Sequence, residues 1–249
     1  MRETARLGID VGGTNTDAVV MAGERVLASE KRSTTADVSS GVISVVDAVL
    51  KKAGVAPQDL AQVMIGTTQF INAFVQRRQL TRVAAVRVSL PKTDGIPPFI
   101  GWPADLIDAV GEQSYLVGGG SFYDGKEYAP LDLQGLADAA RDLRARNIKS
   151  IAVISNFAPV RPDIERRAAE VLLQTLPDAD ITLSSDVGGL GLIDRENAAL
   201  INASLRQLSR SVVKALTDAF EKLGIHAPIY LSQNDGTLIS KTTRLASQS

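Results

Sequence analysis

The chain has 249 residues, 45% hydrophobic and 22% charged, with a formal net charge of −1. That is an ordinary globular balance for one large domain or two small ones, and it gives no electrostatic footprint for nucleic acid. Aromatics make up only 4% and cysteine is absent, which argues against a base-stacking surface and excludes disulfides, thiolate metal sites and a cysteine nucleophile. The single histidine, His226, reads as a loop residue between a helix and a strand, and one ligand cannot build a zinc site. Met1–Arg6 is charged and runs straight into a strand, so no signal peptide is expected. No apolar run approaches the ~18 residues needed to cross a bilayer. The expectation is a cytoplasmic protein with neither a membrane nor a nucleic-acid partner.

In chain order, Leu7–Val11 reads as a buried strand ending in Gly12-Gly13. Asp17–Met21 and Arg25–Ala28 read as two more strands around the turn Ala22-Gly23-Glu24, giving a β-meander. Ser39–Ala53 is helical, with Val42, Val45, Val46 and Val49 on one face and Gly54 at its end. Val63–Ile65 is a short strand that runs into Gly66-Thr67-Thr68, and a helix follows over Phe70–Arg77. Arg82–Val88 is another strand. Leu90–Tyr115 carries four prolines and three glycines and reads as an irregular excursion, and Gly118-Gly119-Gly120 as a flexible loop. Asp132 caps a helix with Leu133, Leu136, Ala137, Ala140 and Leu143. Ser150–Ile154 is a strand, and Pro162 opens a helix bearing Ile164, Ala168, Val171 and Leu172. Ile181–Leu183 is a strand. Asp194 is expected to cap the longest helix, striped by Ile201, Leu205, Leu208, Val212, Leu216, Ala219 and Leu223 and ended by Gly224. Pro228–Leu231 is a last strand before Gln233-Asn234-Asp235-Gly236, and the tail from Lys241 shows no pattern. Strands and helices alternate after the meander, so the class is α/β with a mixed sheet.

The segment most informative for chemistry is Gly8-Ile9-Asp10-Val11-Gly12-Gly13-Thr14-Asn15-Thr16-Asp17. A buried strand delivers Asp10, two glycines allow a tight turn with bare N–H groups, and Thr14 and Thr16 add hydroxyls. Such a turn is an anion nest, though a plain hairpin turn is the alternative. Asp10 is placed to hold magnesium through water. No Gly-Lys-Ser/Thr follows, so this is not a P-loop, and a strand follows the glycines, so it is not a dinucleotide fingerprint. Gly66-Thr67-Thr68 follows a strand and opens a helix, which suits either an anion site or simple helix capping. Asn234-Asp235-Gly236 reads as a turn or as part of the site. Asp186-Val187-Gly188-Gly189-Leu190 repeats Asp-Val-Gly-Gly, but Leu190 replaces the threonine and a helix follows; it is not expected to bind phosphate.

The Asp-x-Gly-Gly-Thr turn resembles the first phosphate loop of the acetate kinase/sugar kinase/Hsp70/actin superfamily. Ile65-Gly66-Thr67-Thr68-Gln69-Phe70-Ile71-Asn72-Ala73 is similar to the Gly-Thr-Thr-x-x-x-Asn-Ala motif of the hydantoinase A/5-oxoprolinase family. Tyr123–Asp132, Asp194–Ala199 and Gln233–Gly236 match that family in order. The resemblance implies an actin-like mixed sheet forming an N-terminal lobe. It divides the chain into 1–182, the family's N-terminal domain, and 183–249, the beginning of the next. Two departures stand out. Pro97–Pro103 holds the place where many members carry Gly-Phe-Arg-Asp, and the chain reaches Ser249 without a second Asp-x-Gly-Gly-Thr turn.

The activity implied is an ATP-dependent amidohydrolase that phosphorylates the carbonyl oxygen of a cyclic amide and opens the ring with water. The cofactors implied are ATP and magnesium, and the partners a cyclic amide and a second hydantoinase-type subunit. The expected catalytic carboxylates are Asp10 and Asp17, with Asp10 toward magnesium. The expected phosphate contacts are Gly12, Gly13, Thr14, Thr16, Gly66, Thr67 and Thr68; Asn72, Asn234, Asp235 and Gly236 lie in the substrate or nucleotide vicinity. Two alternatives stay open: a small-molecule kinase using Asp10 or Asp17 as base, and a module that is incomplete without a partner or further chain. With one phosphate loop the chain alone is expected to bind ATP weakly and turn it over negligibly.

Overall fold

The computed structural model describes residues 4–35, 37–232 and 238–240. Asn234, Asp235, Gly236 and the tail from Lys241 lie outside the described residues. The chain forms two compact units. Unit 1 comprises Met1–Val75 and Ser209–Ser249, and unit 2, Gln76–Leu208, is inserted between those segments in sequence.

Unit 1 opens with β1 (Ala5–Val11), β2 (Asn15–Ala22) and β3 (Arg25–Ser33), an antiparallel meander in the expected order. Period-2 alternation buries Leu7, Ile9 and Val11 of β1 and Ala18 and Val20 of β2. The helix α1 (Val38–Ala53) is capped by Asp37, whose side chain accepts from the Ser39 and Ser40 amides. Gly54, at φ 65°, ends it in the left-handed conformation that suits glycine. Val42, Val45, Val46 and Val49 of α1 are fully enclosed, and α1 packs on β2 and β3. Each such valine contributes on the order of 1.5–3 kcal/mol of burial. The strand β4 (Leu60–Thr67) lies parallel to β1, and α2 (Gln69–Val75) follows.

Unit 2 begins with β5 (Val83–Leu90), α3 (Ala104–Val110), β6 (Gln113–Gly118), β7 (Gly120–Ser121) and β8 (Glu127–Ala129). It continues through α4 (Leu133–Ala145), β9 (Ser150–Ser155), α5 (Pro162–Thr175) and β10 (Asp180–Leu183). A parallel sheet runs in the order β10-β9-β5-β6, and β7 and β8 form a small antiparallel ribbon. The central strands are almost continuously buried, as a parallel sheet covered on both faces requires. Val86, Val88, Ile151 and Val153 share a core with Leu136 and Leu143 of α4 and with Ile164 and Leu172 of α5.

The long helix α6 (Leu192–Lys222) passes from the residues of unit 2 to those of unit 1. The strands β11 (Ile229–Ser232) and β12 (Leu238–Ser240) then complete the mixed sheet of unit 1, ordered β12-β11-β4-β1-β2-β3.

Several expectations are corrected here. The stretch Leu90–Tyr115 is not irregular throughout. Pro103 starts α3, which buries Leu106 and Val110 one turn apart, and β6 begins at Gln113. Gly118–Gly120 is not a loose loop, because Gly118 ends β6 and Gly120 belongs to β7. Asp194 is not the cap of α6; it sits in the first turn, since the Arg195 amide already bonds the Gly191 carbonyl. In the unit 2 part of α6 the buried positions are Arg195, Glu196, Ala199, Leu200, Ala203 and Ser204, whereas Ile201, Leu205 and Leu208 are half-buried. Small residues are needed at Ala203 and Ser204 because the Ser150 hydroxyl donates to the Ala203 carbonyl at 2.8 Å, which brings helix and sheet close.

Charged groups bury themselves around the start of α6. Arg87 makes a two-pronged pair with Glu196, both contacts at 2.7 Å and both side chains wholly enclosed, and it also donates to the Ile96 carbonyl. Arg195 donates to the Ser184 hydroxyl and to the Gly189 and Leu190 carbonyls at 2.9 Å each, and to the Ser155 carbonyl. Asn197 accepts from the Trp102 indole at 2.7 Å. Glu165 accepts from the Ser155 amide at 2.8 Å, the Ser185 amide at 2.9 Å and the Ser184 hydroxyl. Glu196→Ala therefore leaves a buried guanidinium unpaired and is expected to lower the unfolding free energy by about 3–5 kcal/mol. Urea denaturation reads this out, and a loss below ~1 kcal/mol would contradict the pairing.

Burial pushes the Glu165 carboxyl above its usual 4.5, against the hydrogen bonds that favour its ionised form. The folded state then holds a proton that the unfolded state has released. This contribution to stability is fully present below the unfolded pKa and is lost as pH rises through the raised folded value. Unfolding free energy is expected to fall as pH climbs from 4.5, and Glu165→Gln to remove that limb; an unchanged profile in the variant would show that Glu165 is not its source.

Candidate functional site

Strand register assembles the site in unit 1. Asp10 pairs with Gly66 across the parallel β1–β4 ladder and with Asp17 across the antiparallel β1–β2 ladder; Asp17 in turn pairs with Lys31 of β3. Directly opposed residues share a face, so Gly66, Asp10, Asp17 and Lys31 form one row across four strands. The neighbours of Asp10 in β1, Ile9 and Val11, are buried, whereas Asp10 itself is exposed on the opposite face. The Lys31 ammonium lies 3.3 Å from Asp17, an exposed contact of the kind worth ~0–1 kcal/mol. Two carboxylates placed opposite one another in a sheet repel. Stability therefore does not explain the row. Gly66 leaves a notch beside Asp10: a Cβ there would lie 3.4 Å from both the Asp10 carboxylate and the Ser232 hydroxyl. A shallow concavity of about 730 Å³ opens on this face, with Asp10, Asp17, Lys31, Gly66 and Ser232 among its lining residues.

The two glycine turns lie beside the row, at the carboxyl ends of β1 and β4. The Gly12 N–H closes the first turn on the Asn15 carbonyl at 3.0 Å, and a Cβ on Gly12 would come within 2.8 Å of that oxygen. Gly13 and Thr14 are exposed. The Val11 carbonyl receives the Thr67 hydroxyl at 3.0 Å and the Thr68 amide at 3.4 Å, which locks the second turn onto the first. Thr67 also accepts from the Gln69 amide at 3.2 Å, so its hydroxyl serves the start of α2. The Asn72 amide group lies over Gly13, where a Cβ would meet it at 2.8 Å.

The structure thus brings together Asp10, Asp17, Gly12, Gly13, Thr14, Gly66, Thr67, Thr68 and Asn72. It places Thr16 differently from a phosphate donor: Thr16 is 1% exposed, and its hydroxyl lies 3.0 Å from that of Thr34, which donates to the Gly12 carbonyl at 2.8 Å. Thr16 and Thr67 brace the turns; Gly13, Thr14 and Thr68 are their exposed members. Sequence reasoning missed Lys31, Thr34 and Ser232. Lys31 was not readable from the β2–β3 turn, because a bulge between Val26 and Ala28 shifts the register by one residue and brings Lys31, not Glu30, opposite Asp17; Thr34 and Ser232 carry no local signal. Among the described residues no group of three or more acidic, histidine or cysteine side chains could cage a metal. Two carboxylates in one row fit magnesium, which keeps most of its waters, better than a cation that needs an all-protein cage.

The mixed sheet with its two linked glycine turns is an α/β fold, and comparison with known proteins identifies the family. Residues 6–176 match the hydantoinase/oxoprolinase N-terminal region, and the chain belongs to that family. It is 25% identical over 258 residues to the caprolactamase subunit alpha of Pseudomonas jessenii, covering 95% of this chain and 36% of that protein. It is 25% identical over 262 residues to the acetophenone carboxylase gamma subunit of Aromatoleum aromaticum, covering 92% and 35%. Among solved structures, nucleotide-free acetone carboxylase superposes with TM-score 0.79 at 20% identity, over 96% of this chain and 37% of that one. The ATP-dependent caprolactamase from Pseudomonas jessenii superposes with TM-score 0.73 at 20% identity, over 94% and 36%. The chain spans about a third of the length of the curated relatives it matches.

The fit between Gly13 and Asn72 is open to test. Gly13→Ala is expected to cost about 1–3 kcal/mol in the native protein. In an Asn72→Ala background, which opens the space, the same change is expected to cost less than ~0.5 kcal/mol. A denaturation double-mutant cycle measures the difference, and additive costs would contradict the contact.

Proposed function

We propose that this chain is the N-terminal part of an ATP-dependent amidohydrolase that opens a cyclic amide of the hydantoin or oxoproline kind. Residues 1–182 would form its N-terminal domain and 183–249 the start of the next. The observation that carries this reading is the Gly66–Asp10–Asp17–Lys31 row beneath two turns joined through the Val11 carbonyl. The ATP dependence named for the caprolactamase and for acetone carboxylation supports ATP as the cofactor. The subunit names of the relatives support a partner subunit.

In this reaction the γ-phosphoryl group passes to the carbonyl oxygen of the amide and ADP leaves. Water then adds to the activated carbon, the C–N bond breaks as nitrogen takes up a proton, and a second water displaces phosphate from the resulting acyl phosphate, so that phosphate departs with the former carbonyl oxygen and a carboxylate remains. Phosphoryl transfer asks mainly for positioning and charge stabilisation. Gly13 and Thr14 offer amides and a hydroxyl to phosphate oxygens, with Thr68 beside them. Asp10 would hold magnesium through water, with Asp17 as the second carboxylate of the row. Magnesium, when bound, neutralises charge on the phosphate oxygens. Lys31 holds Asp17 in place. Asn72 fixes Gly13 from above, and Gly66 keeps the space beside Asp10 clear.

Calorimetry with Mg-ATP tests this directly. The chain is expected to bind Mg-ATP weakly, and Asp10→Asn to weaken binding at least about tenfold, or ~1.4 kcal/mol. Binding that Asp10→Asn leaves unchanged would place the nucleotide elsewhere.

A further inference from the structure

The parallel sheet of unit 2 carries a second set of convergent groups that phosphoryl transfer does not use. From β5 the chain winds through α3 to β6, and from β9 it winds the opposite way through α5 to β10. The reversal falls between β5 and β9, and in open α/β sheets the crevice at the carboxyl ends of such strands is where ligands bind. Tyr128 bridges the ends of these two strands. Its hydroxyl donates to the Ser89 carbonyl at the end of β5 at 2.9 Å, and it accepts from Asn156, the first residue past β9, at 3.1 Å. Gly119 and Gly120 have φ of 129° and 120°, and a side chain on Gly120 would overlap the Tyr128 hydroxyl. The triple glycine is therefore shaped around this phenol.

The Lys92 ammonium lies 5.5 Å from the centre of the Phe122 ring and 6.0 Å from that of Tyr128. Among the described residues no carboxylate forms an ion pair with it. Phe122 is 41% exposed and Tyr123 77%. Tyr123 meets Phe157 edge-on at 6.5 Å, and Phe157 holds a left-handed φ of 50°. A strained non-glycine residue persists only where its surroundings over-determine it, and such residues gather at binding sites. In a chain with six phenylalanines, four tyrosines and one tryptophan, two ring pairs, Phe122–Tyr128 and Tyr123–Phe157, gather on this segment, and the first of them flanks the Lys92 ammonium. Desolvation holds the Tyr128 phenol at about 12, so it stays neutral and does not repel an anion.

We propose that this edge of unit 2 is a binding site for a small carboxylate with an apolar or aromatic body. The carboxylate sits against the Lys92 ammonium, the body lies on Phe122, and the Tyr128–Asn156 bridge forms the floor. The proposal stands independently of the nucleotide reading in unit 1.

Benzoate, benzamide and inorganic phosphate titrated into the 249-residue chain, followed by calorimetry and amide chemical shifts, test it. Benzoate is expected to saturate one site, at least about tenfold tighter than benzamide, its uncharged isostere, and than phosphate, which has no apolar body. Lys92→Met, at an exposed position, is expected to keep the melting temperature and to reduce benzoate to the level of benzamide. Phe122→Ala is expected to weaken benzoate and benzamide alike, and Asp10→Asn to leave both unchanged. Non-saturating benzoate, phosphate bound as well as benzoate, no effect of Lys92→Met, or loss of benzoate binding in Asp10→Asn would each overturn the site.

Discussion

The register of β1 between β2 and β4 is the constraint on which unit 1 depends. Because side chains alternate along a strand, a slip of one residue would turn Asp10 into the core and Ile9 or Val11 into water. The burial of Leu7, Ile9 and Val11 beside Ala18, Val20, Val63 and Ile65 forbids that slip. The same register brings Gly66 and Asp17 to the two sides of Asp10 and ends β1 so that the Val11 carbonyl can take both the Thr67 hydroxyl and the Thr68 amide. Packing of apolar residues on one face therefore fixes the chemistry on the other. The repulsion between Asp10 and Asp17 is tolerated because the buried face outweighs it.

Unit 2 is organised differently, by buried charge. Arg195, Glu196 and Asn197 are consecutive on α6, yet they hold three separate segments: residues 184–191, the strand β5 through Arg87, and the Trp102 loop. A buried pair is weak support for stability in itself, since desolvation offsets much of the attraction, but removing one partner is expensive. The arrangement fixes which loops close over the start of α6. It also explains Asp186-Val187-Gly188-Gly189: the Gly189 and Leu190 carbonyls face Arg195, and a Cβ on Gly188 would come within 2.8 Å of the Arg195 side chain. Gly188 permits the close approach of an arginine, and the carbonyls that follow it face a guanidinium.

Much of this was legible in the residues. The meander, α1 with its Gly54 terminus, the Asp132 cap and Pro162 at the start of α5 follow from periodicity and end signals, which are local. What failed was tertiary in origin. The helix α3 was hidden by the prolines and glycines around it, although Leu106 and Val110 mark its buried side. The stripe of α6 shifts where Ser150 draws the helix onto the sheet, which no period within the helix reveals. At the site, the glycines and the Asp10–Asp17 spacing were readable because a hairpin links them directly. The bracing role of Thr16 was not, since it depends on Thr34, eighteen positions away. Asp194–Ala199 matched a family motif, and the contacts of Arg195, Glu196 and Asn197 within it are structural, inside unit 2.

The central claim is that the row beneath the fused turns receives the metal–phosphate end of a nucleotide. Paramagnetic broadening of amide signals by Mn²⁺-ATP tests it most directly, because the effect reports distance from the ion without requiring turnover. Broadening that begins at residues 10–17 and 66–68 is the expected result. Broadening centred on residues 184–191, or spread evenly over the chain, would contradict it.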